Sequence, residues 1–288
     1  MKEMGSNRNL WDEGRLTEVF NSAKEIPLDN SSRFILFSDC HRGDNSWADD
    51  FGHNQSLFFH ALEHYHNEGF TYIELGDGDE LWENKHFEDI REAHSHIFWL
   101  LGKFHIENRF YLIWGNHDKE RMTKKIVEKT LYRSFNERKK KEEPLFEDIE
   151  VHEGLTLYHK DTNIKIFLVH GHQVDFMNDK FWKISRFCVR HFWKRLQLLG
   201  WRDPTSPAKN YKKRVKIEEK MVEWVKINNI MLIAGHTHRP VFPSSEEPPY
   251  FNTGSCVHPR CITGIEIQNG DITLIKWWIK PDKKGALC

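Results

Sequence analysis

Five short apolar runs punctuate the chain, and each stops abruptly at a polar group. Phe34-Ile-Leu-Phe37 runs into Ser38-Asp39-Cys40-His41, and Thr71-Tyr-Ile-Glu-Leu75 into Gly76-Asp77. Tyr111-Leu-Ile-Trp114 meets Gly115-Asn116-His117-Asp118, Ile166-Phe-Leu-Val169 meets His170-Gly171-His172, and Met231-Leu-Ile-Ala234 meets Gly235-His236-Thr237-His238. Runs this short, rich in β-branched and aromatic residues and closed by glycine or polar residues, predict buried strands. Open α/β sheets build their sites at the carboxyl ends of such strands. Five strand ends therefore deliver Asp, His, Asn and His toward one sheet edge.

Helical spacing fills the gaps. Residues 54–68 place Leu57, Phe58, Ala61, Leu62 and Tyr65 on one face, with Gly69 as a stop. A second helix is predicted around 87–103, with Ile90, Ile97 and Leu101 inward. Strand, helix, strand, helix, strand implies parallel crossovers. Asn136 to Pro144 is a charge run that reads as a solvated loop or helix end. Beyond it, runs at 155–159 and 164–169 flank Asp161-Thr-Asn163 as a hairpin. Strands follow near 250–253, 261–268 and 272–279, the last two joined by the tight-turn pair Asn269-Gly270. The fold class expected is α/β (α+β), with two facing mixed sheets flanked by helices. Residues 1–30, with one helical pattern near Leu16 to Ala23, are expected to pack as a lead-in on a 31–288 domain. A helical insert at 176–226 interrupts that domain.

Composition adds few constraints. A chain of 288 residues with 39% hydrophobic and 30% charged residues fits a globular protein with an ample core. No apolar stretch approaches the length of a membrane span, and the first residues lack the apolar core of a signal peptide. Five scattered cysteines without a Cys-x-x-Cys pair suit reduced thiols, so a cytoplasmic location is expected. The net charge of −1 hides a basic segment: residues 180–215 contain eleven Lys and Arg against the single acid Asp203.

The strand-end residues are oxygen and nitrogen donors suited to Mn²⁺, Fe or Zn²⁺ and less to Ca²⁺. Two neighbouring dications need a shared carboxylate, and can activate water and clamp the oxygens of a phosphate. Asp39-x-His41 and His236-x-His238 each offer two ligands. Residues two apart in extended chain point the same way, so each pair is expected to converge.

The ordered set Asp-x-His, Gly-Asp, Gly-Asn-His-Asp, His-Gly and Gly-His-x-His resembles the calcineurin-like metallophosphoesterase superfamily over about residues 34–279. The resemblance implies facing mixed sheets and two divalent ions, Mn²⁺ first, with Fe or Zn²⁺ as alternatives. Asp39, His41 and His238 would hold one ion, and Asn116, His170 and His236 the other, with Asp77 bridging. His117 would stabilise the phosphate or protonate the leaving oxygen, after in-line attack by a metal-bridging hydroxide. Asp118 is not among the family's metal ligands; a role in orienting its neighbour His117 is an expectation for this chain and not one the resemblance implies. Arg42, directly after the first motif, is expected to hold a substrate phosphate bidentately. His172 and Asp175 are expected to line the mouth, with Asn116 and His172 also near substrate.

In the insert, Lys183, Arg186, Arg190 and Lys194 recur at helical spacing, with Phe181, Trp182, Ile184, Phe187, Phe192, Trp193 and Leu196 between them. Gly200 to Pro204 breaks the pattern, and Lys212 to Val225 begins another helix. This reads as a basic, aromatic cap for an anionic phosphoester with an apolar portion, able to touch a membrane surface. Gly76-Asp-x-x-Glu-x-Trp82 and Gly235-His-Thr-His-Arg-Pro240 are similar to the UDP-2,3-diacylglucosamine hydrolase branch, which would imply a nucleotide- or lipid-linked pyrophosphate. Many of those enzymes carry Arg at the position of His117. A broad phosphomonoesterase or phosphodiesterase and a non-catalytic metal-binding scaffold are the rival readings. Nucleic acid would be a substrate of the basic insert only with steep salt dependence.

Overall fold

Successive residues of Phe34–Phe37 point to opposite faces: Phe34 and Leu36 enter one buried cluster, Ile35 and Phe37 another. A strand apolar on both faces must be covered on both, and the architecture follows from that requirement. In the computed structural model, which describes residues 10–136, 139–190 and 210–281, the chain begins with α1 (Leu10–Ser22), β1 (Lys24–Leu28), β2 (Arg33–Phe37), α2 (Gln55–Asn67) and β3 (Thr71–Leu75). Next come α3 (Phe87–Ala93), α4 (Ser95–Ile106), β4 (Phe110–Ile113), α5 (Lys124–Leu131), β5 (Arg133–Asn136), β6 (Lys141–Pro144) and β7 (Val151–His152). The hairpin β8 (Gly154–His159) and β9 (Lys165–Val169) leads to α6 (Phe176–Lys180), α7 (Trp182–Cys188) and α8 (Tyr211–Asn228). The last strands are β10 (Met231–Ala234), β11 (Tyr250–Asn252), β12 (Cys261–Gln268) and β13 (Asp271–Trp278).

Two mixed sheets face each other, as expected. One has the order β13-β12-β2-β3-β4-β7, the other β1-β8-β9-β10-β11. β2, β3 and β4 are parallel, with Leu36 opposite Ile73 and Ile73 opposite Tyr111. Ile26, Leu36, Ile73, Ile113, Leu157, Leu168 and Ile233 fill the space between the sheets. On the outer face of the six-stranded sheet, Leu57, Phe58, Leu62, Ile97 and Leu101 of α2 and α4 cover Phe37 and Tyr72. Each such side chain contributes about 1.5–3 kcal/mol on burial. Against the other sheet, Leu16 and Val19 of α1 and Ile217, Met221 and Trp224 of α8 cover Phe167 and Leu232. No helix among the described residues is long and apolar enough to cross a membrane.

Four expectations change. The lead-in is not helical throughout, because residues 24–28 form β1, paired in parallel with β8. The single helix at 87–103 is two, broken at His94, whose buried ring lies 2.9 Å from Asp49 Oδ2. A side chain held by a partner outside the helix imposes its own backbone angles, here φ −116° and ψ 32°. The charge run supplies β6 of a hairpin with β5. Finally, α8 is not only a cap element: beyond its first turn its apolar stripe is buried on the sheet, and it precedes β10, the parallel neighbour of β9. The predicted break at Gly200–Pro204 and residues Phe192, Trp193, Lys194 and Leu196 lie outside the described residues.

Candidate metal centre

The strand ends converge through left-handed turns. Asp39 and His41 have φ of 50° and 47°, Asp77 51°, and His236 and His238 66° and 55°. Such angles are uncommon outside glycine and cluster where the surrounding structure enforces them. The convergence of Asp39 with His41, and of His236 with His238, therefore arises from turns and not from the alternation of extended chain. Backbone bonds knit the turns together: Asp39 N–H to Gly76 C=O (3.1 Å), His41 N–H to Asp77 C=O (2.9 Å) and Gly235 N–H to His170 C=O (3.0 Å). Gly76, at φ 84°, is required twice over, since a Cβ there would also lie 2.5 Å from His170 Nδ1.

Each acid and several histidines have one polar atom tied down and another presented. Asp39 Oδ2 accepts from His236 N–H (2.9 Å) and Ser38 Oγ, leaving Oδ1. Asp77 Oδ1 accepts from His117 N–H at 2.8 Å, leaving Oδ2. His170 Nδ1 donates to the Leu75 carbonyl at 2.9 Å, which fixes the tautomer and frees Nε2. His41 Nδ1 lies 2.8 Å from Glu80 Oε2.

The presented atoms face one another. His238 Nε2 lies 3.1 Å from Asp39 Oδ1 and 3.2 Å from His41 Nε2. Asp77 Oδ2 is 3.1 Å from His170 Nε2 and 3.7 Å from His41 Nε2, so it reaches both halves of the cluster. Asp39, His41 and His238 form one group of donors within 4.8 Å of one another, and Asp77, His170 and His236 a second. Asp39 Oδ1, Asn116 Oδ1, His170 Nε2 and His236 Nε2 are buried without a hydrogen-bond partner. Buried polar atoms without partners are costly and call for an explanation. The donor set is one that borderline dications accept, so these residues fit a metal centre.

The field of the cluster favours positive charge. Burial opposes a charged ring at His170, yet Asp77 and Asp39 carry its pKa up to about 9. His41 is likewise raised well above its ordinary value against its burial, by Asp39, Glu80 and Asp77. Burial would raise Asp39 and Asp77, but His238 and His170 hold the first, and His170 and His117 the second, below the usual carboxylate range.

His117 stands at the edge of the centre in a fixed frame. Its Nδ1 lies 2.7 Å from Glu80 Oε1, and its ring stacks on Trp82 with centroids 4.2 Å apart and planes 21° from parallel. Burial alone would raise Glu80, but the charge and hydrogen bond of His117, with the bond from His41, hold it at about 2. Asp118 accepts from the backbone N–H of Gly115 (2.6 Å) and Gly78 (3.1 Å), joining the loops that carry Asn116 and Asp77. Burial raises its pKa to about 6 despite Arg121. Glu80 and Trp82 had not been singled out as site residues from the sequence, although the Gly-Asp-x-x-Glu-x-Trp spacing contains both.

Two expected substrate contacts are elsewhere. Arg42 is 1% exposed, bound by Glu74 through both terminal nitrogens and by Asp79 through Nε, each at 2.7 Å. Cross-strand acids turn it into the interior, away from any phosphate. His172 is fully buried and does not line the cavity; its ring packs on Trp114 at 5.2 Å. Nearby Glu153 and Asp179 are paired with Arg15 and Lys119, so that acidic group is already neutralised. Asp175 lies behind His236, with Oδ2 3.5 Å from the ring and 2.8 Å from Lys213 Nζ.

A cavity of about 1140 Å³ opens over the centre, with His41, Asp77, Asn116, His117, His236 and His238 among its lining residues. Met177, Ile184 and Val189 supply an apolar wall; Arg214 and Arg260 supply positive charge on one part of the lining, and Asp44, Asp50 and Glu83 negative charge on another. Of the predicted basic stripe, Arg186 instead pairs with Glu120 at 2.7 Å, and Arg190 binds backbone carbonyls of residues 81–84.

The sequence profile of the family described as calcineurin-like phosphoesterase matches residues 32–240. Solved structures that align with the chain include a conserved uncharacterized protein from Streptococcus pneumoniae TIGR4, described as a predicted phosphoesterase. Its identity is 14%, with 85% of this chain and 88% of that chain covered and a TM-score of 0.35. Vacuolar Protein Sorting 29 from Cryptosporidium parvum aligns at 13% identity, 85% and 96% coverage and TM-score 0.32. A cold-active protein tyrosine phosphatase aligns at 12% identity, 87% and 81% coverage and TM-score 0.39. No curated protein matches the chain significantly. The profile match spans most of the chain: it belongs to the calcineurin-like phosphoesterase family, a family of metal-dependent hydrolases.

Proposed function

We propose that this calcineurin-like phosphoesterase holds two divalent cations and hydrolyses an anionic phosphoester. The observation that carries this reading is a set of buried atoms without a hydrogen-bond partner: Asp39 Oδ1, His170 Nε2 and His236 Nε2 within the two donor groups, and Asn116 Oδ1 on a residue that lines the cavity over them. Asp39, His41 and His238 would hold one ion, and Asn116, His170 and His236 the other, with Asp77 between them. Mn²⁺ is the ion we favour, Fe and Zn²⁺ being suited to the same donors. When bound, the ions supply Lewis acidity that activates water and draws charge from the phosphoryl oxygens.

The protein's own groups do the rest. Glu80 and Trp82 hold the His117 ring so that Nε2 can give a proton to the departing oxygen. Asn116 and His117 are adjacent in one loop, so one backbone segment would position both ligand and acid. The cavity far exceeds a phosphate group, and its apolar wall and two arginines support a substrate with an apolar portion and further negative charge. A nucleotide- or lipid-linked pyrophosphate has both features. The free cysteines Cys40, Cys188, Cys256 and Cys261 suit a reducing compartment, and we place the protein in the cytoplasm.

The test is Mn²⁺-dependent turnover of matched aryl phosphomonoester, phosphodiester and nucleotide pyrophosphate substrates by wild type, N116A and H117A. Metal-dependent turnover crippled by both substitutions is the expected result. Preference for the pyrophosphate supports the capped reading, whereas equal turnover of the aryl esters supports a broad esterase. Wild-type chain that binds no metal and turns over none of them contradicts the proposal.

A further inference from the structure

We propose that Arg190 is a positioning residue for His117, acting through Trp82. The inference rests on the hydrolase reading above, because it concerns the group that would protonate the leaving oxygen. Arg190 follows α7, and its guanidinium crosses to the loop after β3. There Nε donates to the Trp82 carbonyl at 3.0 Å, and Nη2 to the carbonyls of Leu81 at 2.6 Å and Asn84 at 3.3 Å. One planar, rigid donor group thus clamps three carbonyls of a single turn, a task lysine's point charge performs poorly. No carboxylate lies within ion-pair distance of Arg190 among the described residues; Glu120 and Glu80 act on its charge only from farther off, so its close contacts are those three carbonyls.

The clamped turn carries the indole that lies flat on His117 at 4.2 Å. Glu80 fixes one edge of the imidazole and Trp82 fixes its tilt; together they set the direction of Nε2. The expected role of the basic stripe, contact with the substrate's charge, is replaced at this position by contact with the catalytic loop. Arg190 thus ties the segment after α7 to the turn whose indole backs the His117 ring.

The consequence concerns the leaving group. As water oxygen bonds to phosphorus and gives up a proton to solvent, the ester P–O bond breaks and its electron pair stays on the departing oxygen, which takes the proton from His117 Nε2; solvent then restores that proton to the ring. An alkoxide needs that proton; 4-nitrophenolate does not. Misaligning the ring should therefore harm alkyl esters selectively.

The experiment compares wild type, R190K, R190M and W82A on a 4-nitrophenyl and an alkyl ester of the same phosphate. R190M is expected to lower kcat on the alkyl ester by about tenfold or more, with KM and 4-nitrophenyl turnover little changed. R190K should fall between, and adding R190M to W82A should cost nothing further. An equal loss on both esters, or a loss confined to KM, overturns the proposal. A crystal structure of R190M gives a readout independent of turnover and so separates this failure from failure of the hydrolase reading. The Trp82–His117 stack should be lost, and a stack retained in R190M overturns the inference even if wild type hydrolyses neither ester.

Discussion

Arg42 and Glu74 meet in a bidentate ion pair, 2.7 Å on each arm, with both side chains 1% exposed. Arg42 directly follows the turn that presents Asp39 and His41, and its Nε donates to Asp79 at 2.7 Å. Removing one member would strand a buried charge. R42M is expected to destabilise the protein by about 3–5 kcal/mol in urea denaturation. Its folded fraction should keep the KM of wild type. A raised KM at unchanged stability would restore the substrate-binding role expected from sequence.

The same network predicts an acid dependence. Burial opposes ionisation of Asp79, but Arg42 and Arg121 lower its pKa below the ordinary 3.8. A carboxylate depressed in the folded state adds stability above its unfolded pKa and loses it as pH falls through the folded value. The contribution should therefore be complete above about pH 5 and fade below about pH 4. Chemical denaturation of wild type and D79N between those limits checks this: the difference between them should shrink on acidification. A difference that grows contradicts the assignment.

Asp118 joins the loops carrying Asp77 and Asn116 through the N–H groups of Gly78 and Gly115. Asn at this position would offer one acceptor and set an amide donor against the other N–H. D118N is expected to weaken metal affinity or turnover by about 10–100-fold, the usual cost of losing an outer support. Calorimetric Mn²⁺ titration reads the first and steady-state kinetics the second. Unchanged values for both would make Asp118 dispensable to the centre.

Glu80 touches a proposed ligand, His41, and the proposed acid, His117, through its two oxygens. E80Q should therefore affect metal binding and leaving-group protonation together, each by about 10–100-fold. H117A should affect mainly protonation. The two are separated by measuring Mn²⁺ affinity beside kcat for each variant. Equal Mn²⁺ affinity in E80Q and wild type would remove the link to His41.

The residues that converge on the cluster were legible because their signals are local. Each donor lies within a few residues of an apolar run whose length and composition mark a buried strand, and Asp77 follows a glycine whose φ of 84° suits the turn. What escaped is set by distant partners. Nothing near Arg42 in sequence announces Glu74 and Asp79, 32 and 37 residues away. The break at His94 depends on Asp49, 45 residues earlier. α8 was grouped with the cap because it begins in the basic segment of the 176–226 insert, whereas its Ile217, Met221 and Trp224 lie buried on the sheet. Arg190 illustrates the same limit: its helical spacing was visible, but the carbonyls it binds were not.

Metal content tests the central claim most directly. Wild type and D77N would be loaded with Mn²⁺, freed of excess by gel filtration, and measured for manganese per chain. The expected result is about two ions per wild-type chain, with a clear loss in D77N because one shared carboxylate serves both positions. Wild type that retains no manganese, iron or zinc, or a D77N chain that retains the full complement, would contradict the two-metal account.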